Sequence, residues 1–160
     1  EYTDYVFALV IQIIHNDEEA KDLIQETFIR IWKNLSRYNN ELKFTTWVYK
    51  IAVNLCLDHL RRRKRRNANS VRIDNFDHIK ISDDEPGSKL RNEDINRLLK
   101  NLTSGLSPKQ KTVFVLQDMN DLDPEEVSFI TGMSKGQIKS NLYYARKKLK
   151  DQIRKLGYDL

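Results

Sequence analysis

The chain has 160 residues, with 28 Lys and Arg against 23 Asp and Glu, a formal net charge of +5 and a pI near 9.2, a balance that suits a polyanionic partner. Its single cysteine, Cys56, excludes an intramolecular disulfide and a cysteine-rich zinc site. No apolar run reaches the length of a membrane span or a secretory signal, so a cytoplasmic setting is expected, and the start at Glu1 without a Met leaves room for missing N-terminal residues.

The charge is distributed in blocks: residues 1–35 carry −4, 36–66 carry +7, 67–95 carry −3 and 96–160 carry +5. The elements expected are helices throughout, with no clear strand and no internal repeat. From Asp17, the positions Ala20, Leu23, Ile24, Phe28, Ile31 and Leu35 recur at three- and four-residue steps, which predicts a helix with one buried face. The stretch "SRYNNELKF", 36 to 44, breaks that period, and Thr45 or Thr46 is expected to cap the next helix, whose apolar stripe is Val48, Ile51, Ala52, Leu55 and Leu60. Residues 67–92 have scattered hydrophobes, an acidic cluster and a Pro-Gly pair, and predict a flexible linker.

Beyond the linker, Ser107 with Pro108 and Asp123 with Pro124 each predict a helix start, and Gly132 is suited to the left-handed residue that ends the second of these helices. "SKGQ", Ser134 to Gln137, is a capping box that opens a third helix with the inner stripe Ile138, Leu142, Ala145, Leu149 and Ile153. A short helix, a tight turn and a longer basic helix have the proportions of a helix-turn-helix, whose second helix reads a DNA groove. In that helix Lys135, Gln137, Lys139, Ser140, Asn141, Tyr143, Tyr144 and Arg146 are the candidate readers of phosphates and base edges.

The stretch "LDHLRRRKRR", 57 to 66, adds six consecutive cations to a helix whose polar side already carries Lys50, Asn54, Asp58, Arg61 and Arg65. Just upstream lie Tyr38, Phe44, Trp47 and Tyr49. Aromatics beside cations suit a single strand, whose bases stack while its phosphates are neutralised. Taken singly, each feature is better explained by a core aromatic or a solvated helix end; only their combination favours nucleic acid.

Residues 18–66 resemble region 2 of bacterial sigma factors of the extracytoplasmic-function group (sigma-70 family, group 4), through Asp22, Leu23, Gln25, Glu26 and Phe28, then Trp47, Ile51, Ala52, Asn54, Asp58 and Arg61. Residues 106–153 resemble region 4, through Gly136, Ile138, Lys139, Ser140, Leu142, Ala145, Arg146 and Leu149. The resemblance implies an all-α protein of two small helical domains, 1–66 and 95–160, joined by a flexible linker, 67–94. It implies a dissociable subunit of core RNA polymerase that recognises promoter DNA and has no catalytic residues, metal or cofactor. Asp22, Gln25, Glu26, Ile29 and Lys33 would dock on the polymerase. Tyr38, Asn39, Phe44, Trp47, Lys50, Asn54, Asp58, Arg61, Arg62 and Arg65 would hold the minus-ten element, with a flipped base in the loop Ser36 to Thr45 and with Arg62, Arg63, Arg65 and Arg66 on phosphates. The helix from Ser134 would meet the minus-thirty-five element. An anti-sigma factor is the implied regulatory partner.

The sequence departs from the family pattern at Asn141 and Tyr144, where arginine is common, and this predicts a shifted promoter preference. The acidic linker, with Asp74, Asp77, Asp83, Asp84, Glu85, Glu93 and Asp94, is expected either to occupy a channel built for nucleic acid or to act as a solvated tether. A stand-alone helix-turn-helix regulator is the alternative. It accounts for residues 106–153 and leaves the acidic helix and aromatic loop without a purpose. His15, His59 and His78 have no metal-ligand spacing, and no nucleophile stands beside an activating group.

Overall fold

The computed structural model describes residues 2–69 and 97–157; the predicted linker, with its acidic residues, falls almost wholly outside them. All regular structure among the described residues is helical. α1 (Tyr2–Ile14), α2 (Asp17–Asn34) and α3 (Phe44–Asn69) form the N-terminal group. A helix over 97–103 (α4), α5 (Pro108–Phe114), α6 (Pro124–Thr131) and α7 (Lys135–Lys155) form the C-terminal group.

Caps set most of these boundaries. The Asn16 side chain accepts from the Glu19 amide at 3.0 Å at the start of α2, where Asp17, Glu18 and Glu19 face the positive end of the helix dipole. Ser107 and Ser134 both close full capping boxes, with Gln110 and Gln137 as the reciprocal partners. Asp123 caps α6, and Gly132 ends it at φ 72°, a conformation that costs glycine little and other residues more.

Two boundaries differ from the sequence expectation. α3 starts at Phe44, so neither Thr45 nor Thr46 caps it; Thr46 is buried inside the first turn and its hydroxyl donates to Glu126 instead. α3 also continues to Asn69, carrying the helix through the first three residues of the expected linker. After α5 the chain widens into a π-helical turn, Val115–Met119, closed by Asn120, whose amide donates to the Val115 carbonyl and to Gln12 Oε1 of α1, both at 2.8 Å.

One apolar cluster joins the two groups. It includes Val6, Leu9 and Ile13 from α1, Ala20 and Ile24 from α2, and Val48, Ala52 and Val53 from α3; the C-terminal group adds Val113, Leu116, Val127 and Ile130. Each such Val, Leu or Ile side chain contributes about 1.5–3 kcal/mol on burial, and the alanines less. The seam between the groups therefore includes core packing as well as surface contact. Cys56 lies in this core, and burial pushes its thiol up to about 12, which keeps it protonated and unreactive.

His15 links the groups at the opposite end of the seam. It turns the chain from α1 to α2 at φ 52°, and its Nε2 lies 3.1 Å from Thr103 Oγ1. The Thr103 hydroxyl already donates to the Leu99 carbonyl at 2.7 Å, so Nε2 is the donor in the His15 contact and Nδ1 is a bare, buried acceptor without a partner. Burial, then Lys111 and Lys100, lower the imidazole to about 4. Lys111 itself falls to about 8, through burial, Arg63 and Lys100. Because the unfolded chain takes up the His15 proton first, stability is full above about pH 6.5 and is lost as the pH falls towards 4. Allowing for partial solvent screening, the loss is about 1–2 kcal/mol. His15→Asn tolerates the left-handed backbone and removes the ionisable ring. Urea midpoints at pH 7 and pH 4.5 should therefore differ less for this variant than for the unsubstituted chain.

Candidate nucleic-acid interface

Three surfaces carry the residues singled out in the sequence. On α2, Asp22, Gln25, Ile29 and Lys33 are exposed along one face, and Glu26 is half-buried beside them, accepting from Arg30 at 2.7 Å. The same face presents Trp32, 81% exposed, beside Ile29, and Leu35, expected on the buried stripe, is instead open to solvent because it falls in the 3-10 turn that follows α2. Trp32 was not among the expected contacts. Its signal in the sequence is a large aromatic falling seven residues after Gln25, on the polar side of an amphipathic helix.

The second surface surrounds the loop between α2 and α3. A short 3-10 turn, Leu35–Arg37, leads into it, and the Tyr38 hydroxyl donates to the Leu42 carbonyl at 2.7 Å, which closes the loop on itself. Tyr38, Phe44 and Trp47 pack as a triad with ring centroids 5.2–5.7 Å apart. Beside the triad lies a cleft of about 380 Å³ lined by Arg37, Tyr38, Asn39, Trp47, Lys50 and, from α6, Phe129, among others, a volume in the range of small-ligand sites. Tyr49 is partly buried and packs against the core, so it is separate from this cleft.

From the cleft, α3 extends the polar face. Asn54, Asp58, Arg61, Arg62 and Arg65 are exposed, and Asp58 pairs with Arg61 at 3.3 Å. Lys50 to Arg65 spans roughly 22 Å of helix. Arg63 turns inward instead, reaching Glu19 at 3.4 Å, where Glu19 also meets His59 at 2.8 Å. Within the basic run, Arg61, Arg62 and Arg65 are exposed and Arg63 ties α3 to α2.

The third surface is α7, the second helix of the helix-turn-helix. Several polar side chains there are already engaged. Lys135 pairs with Glu125 on α6; the Gln137 side-chain oxygen accepts the Ser134 amide at 3.0 Å; and the Asn141 amide donates to the Gln137 carbonyl at 2.8 Å. Arg146 makes a bidentate pair with Asp118, at 2.6 and 2.8 Å, which fastens α7 to the π-helical turn. This pair raises the Arg146 guanidinium and makes it a fastening group in the free chain. Lys139, Ser140, Tyr143 and Tyr144 remain exposed, the two phenols in edge contact at 5.4 Å.

A helix-turn-helix, with an aromatic cleft that holds Arg37, Lys50 and Glu41 elsewhere on the chain, has the build of a helical DNA-binding protein. Comparison with known proteins places it further. The Sigma-70 region 2 family matches residues 1–66, and the Sigma-70, region 4 family matches residues 96–149. The chain is 29% identical over 155 residues to the ECF RNA polymerase sigma factor SigE of Mycolicibacterium smegmatis, covering 97% of this chain and 60% of that protein. It is 27% identical over 161 residues to ECF RNA polymerase sigma factor SigW of Bacillus subtilis, covering 97% of this chain and 86% of the relative. Among solved structures, the sigma factor RpoE in complex with the anti-sigma factor NepR, from Bartonella quintana, has a TM-score of 0.72 at 24% identity, covering 96% of this chain and 92% of that one. CnrH, in complex with the cytosolic domain of CnrY, has a TM-score of 0.65 at 17% identity, covering 94% and 82%. The chain belongs to the extracytoplasmic-function group of the sigma-70 family.

Among the described residues, no helix is long and apolar enough to cross a membrane, and no group of His, Cys, Asp and Glu is placed to hold a metal ion.

Proposed function

We propose that this chain is a promoter-specificity subunit that binds core RNA polymerase, opens promoter DNA at the minus-ten element, and docks on the minus-thirty-five element as duplex. The observation that carries this reading is the aromatic cleft next to a polar helix face that carries Lys50, Arg61, Arg62 and Arg65, in the same chain as a helix-turn-helix. A duplex reader alone needs no stacking platform. A protein that opens DNA without ATP must compensate the loss of about 1.4 kcal/mol of stacking per step, and a cleft that captures an unstacked base together with a row of phosphate contacts supplies that compensation.

The α2 face of Asp22, Gln25, Glu26, Ile29, Lys33 and Trp32 is the polymerase-docking surface. Tyr38, Asn39, Phe44, Trp47 and Lys50 hold the minus-ten base, and Asn54, Asp58, Arg61, Arg62 and Arg65 support the strand. An anti-sigma factor is the regulatory partner, as it is for the structural neighbour RpoE. Permanganate footprinting tests the opening step. Thymines near minus ten should become reactive only when core polymerase and this chain are both present.

At minus thirty-five, base reading falls to Lys139, Ser140, Tyr143 and Tyr144, and to Asn141 once its amide leaves the Gln137 carbonyl. Lys135, Gln137 and Arg146 serve mainly in caps and ion pairs until DNA displaces those partners. Asn141 can pair with adenine, and the phenol rings can lie against thymine methyl groups, where arginine would favour guanine. Selection from a randomised minus-thirty-five duplex should therefore move towards guanine for Asn141→Arg and for Tyr144→Arg, with discrimination changing by about 5- to 150-fold per position. Unchanged preferred bases would contradict this assignment.

A further inference from the structure

Helix α6 is the first helix of the helix-turn-helix, yet it packs on α3 at the surface assigned to the minus-ten strand. Glu126 Oε1 accepts from Lys43 Nζ at 3.2 Å and from Thr46 Oγ1 at 3.1 Å, partners 83 and 80 residues away in sequence. The contact is sheltered at the acceptor Glu126, whose side chain is 19% exposed, and at the donor Thr46, which is 3% exposed, while Lys43 stands open to solvent. Not quite one turn further along α6, the Phe129 ring receives Lys50 Nζ at 4.0 Å from its centroid and forms one wall of the aromatic cleft.

An anionic group and a flat aromatic ring, set side by side, are also what a nucleotide brings to a surface. Of the groups that receive them here, Lys50 lines the cleft with Tyr38 and Trp47, and Lys43 and Thr46 are the sequence neighbours of Phe44 and Trp47 at the start of α3. We infer that α6 is an intramolecular stand-in for the minus-ten strand: Glu126 occupies a phosphate position, Phe129 covers the base cleft, and the chain in this closed form masks its own melting surface. This rests on the minus-ten assignment proposed above. The α7 face is not masked in the same way, since Lys139, Ser140, Tyr143 and Tyr144 are exposed in the closed form. The closed chain is thus barred from single strand at one surface while its duplex-reading side chains stay available at the other. Whatever opens it must separate α6 from α3.

The packing of Val127 and Ile130 into the same core as Val48 and Ala52 means that the polar contacts are only part of the closure. Neutralising Glu126 should weaken the latch without unfolding either group. The test uses the full chain, a short fluorescein-labelled oligothymidine as the strand probe, and small-angle scattering as an independent measure of closure. Glu126→Gln should bind the oligothymidine about tenfold more tightly than the unsubstituted chain, the effect of removing one charge-assisted hydrogen bond that the strand must otherwise displace. Glu18→Gln makes the same change in net charge on the exposed start of α2 and should leave the affinity almost unchanged. Glu126→Lys should also enlarge the radius of gyration, and adding Lys43→Glu should reverse that expansion by restoring an ion pair of opposite sense.

Equal gains from Glu126→Gln and Glu18→Gln would reduce the effect to net charge and overturn the proposal. An unchanged radius of gyration in Glu126→Lys would overturn the latch itself. Expansion without any gain in strand affinity would show a latch that covers something other than a strand-binding surface, and so overturn the minus-ten assignment on which the proposal rests.

Discussion

Replacing Trp32 with alanine is expected to weaken binding to core RNA polymerase about 30-fold or more, the range of an aromatic interface hot spot, and to leave the unfolding midpoint unchanged. The two halves of this expectation come from the same observation. Trp32 is 81% exposed, so the free chain gains little from it, and exposed substitutions away from special contacts change stability by about 0.5 kcal/mol or less. A large ring held out on a rigid helix, flanked by Ile29 and Leu35 and bordered by Asp22, Gln25 and Lys33, has the composition of an interface centre with a polar rim. Fluorescence anisotropy of the labelled chain titrated with core polymerase measures the affinity, and thermal melting controls for folding. Full affinity in Trp32→Ala would move the docking surface off this face.

The second large effect is expected at Trp47. Trp47→Ala should reduce open-complex formation by about 5- to 150-fold, the range for losing one base-stacking contact, while Trp47→Phe retains most of the activity because a π-face remains. Binding of the minus-thirty-five duplex by either variant should be unchanged, since α7 is a separate surface. Trp47 also touches Tyr38 and Phe44 and packs against the core, so part of the alanine effect is structural. Comparing Ala with Phe at matched stability separates the two. Equal loss of activity in both variants would assign Trp47 to the core alone.

How much of this was legible in the sequence depends on how local the determining physics is. Caps were readable because they act over three or four residues: Ser107, Asp123, Gly132 and Ser134 all stand where their chemistry predicts. α1 also had a signal, Val6, Leu9, Val10, Ile13 and Ile14 at helical spacing, and the two-residue break at His15 and Asn16 separates it from α2.

The start of α3 was misread because Thr46 has the side chain of a cap but spends its hydroxyl on Glu126, a partner from the other half of the chain. The same long-range cause hides the roles of Arg63, which turns inward to Glu19, and of Arg146, which is held by Asp118. No spacing rule connects such pairs. The π-helical turn at Val115–Met119 depends likewise on Asn120 reaching Gln12 in α1. The aromatic cleft was legible as a composition, aromatics beside cations, but the closing of that cleft by Phe129 belongs to tertiary packing alone.

Run-off transcription from a promoter library decides whether this chain gives core RNA polymerase its promoter specificity. Purified bacterial core polymerase, with and without the chain, is the comparison. Transcripts are expected only when the chain is present, all starting downstream of one shared two-part promoter. Tight binding of the isolated chain to promoter duplex with no stimulation of core polymerase would contradict this role, and would make the chain a stand-alone helix-turn-helix regulator.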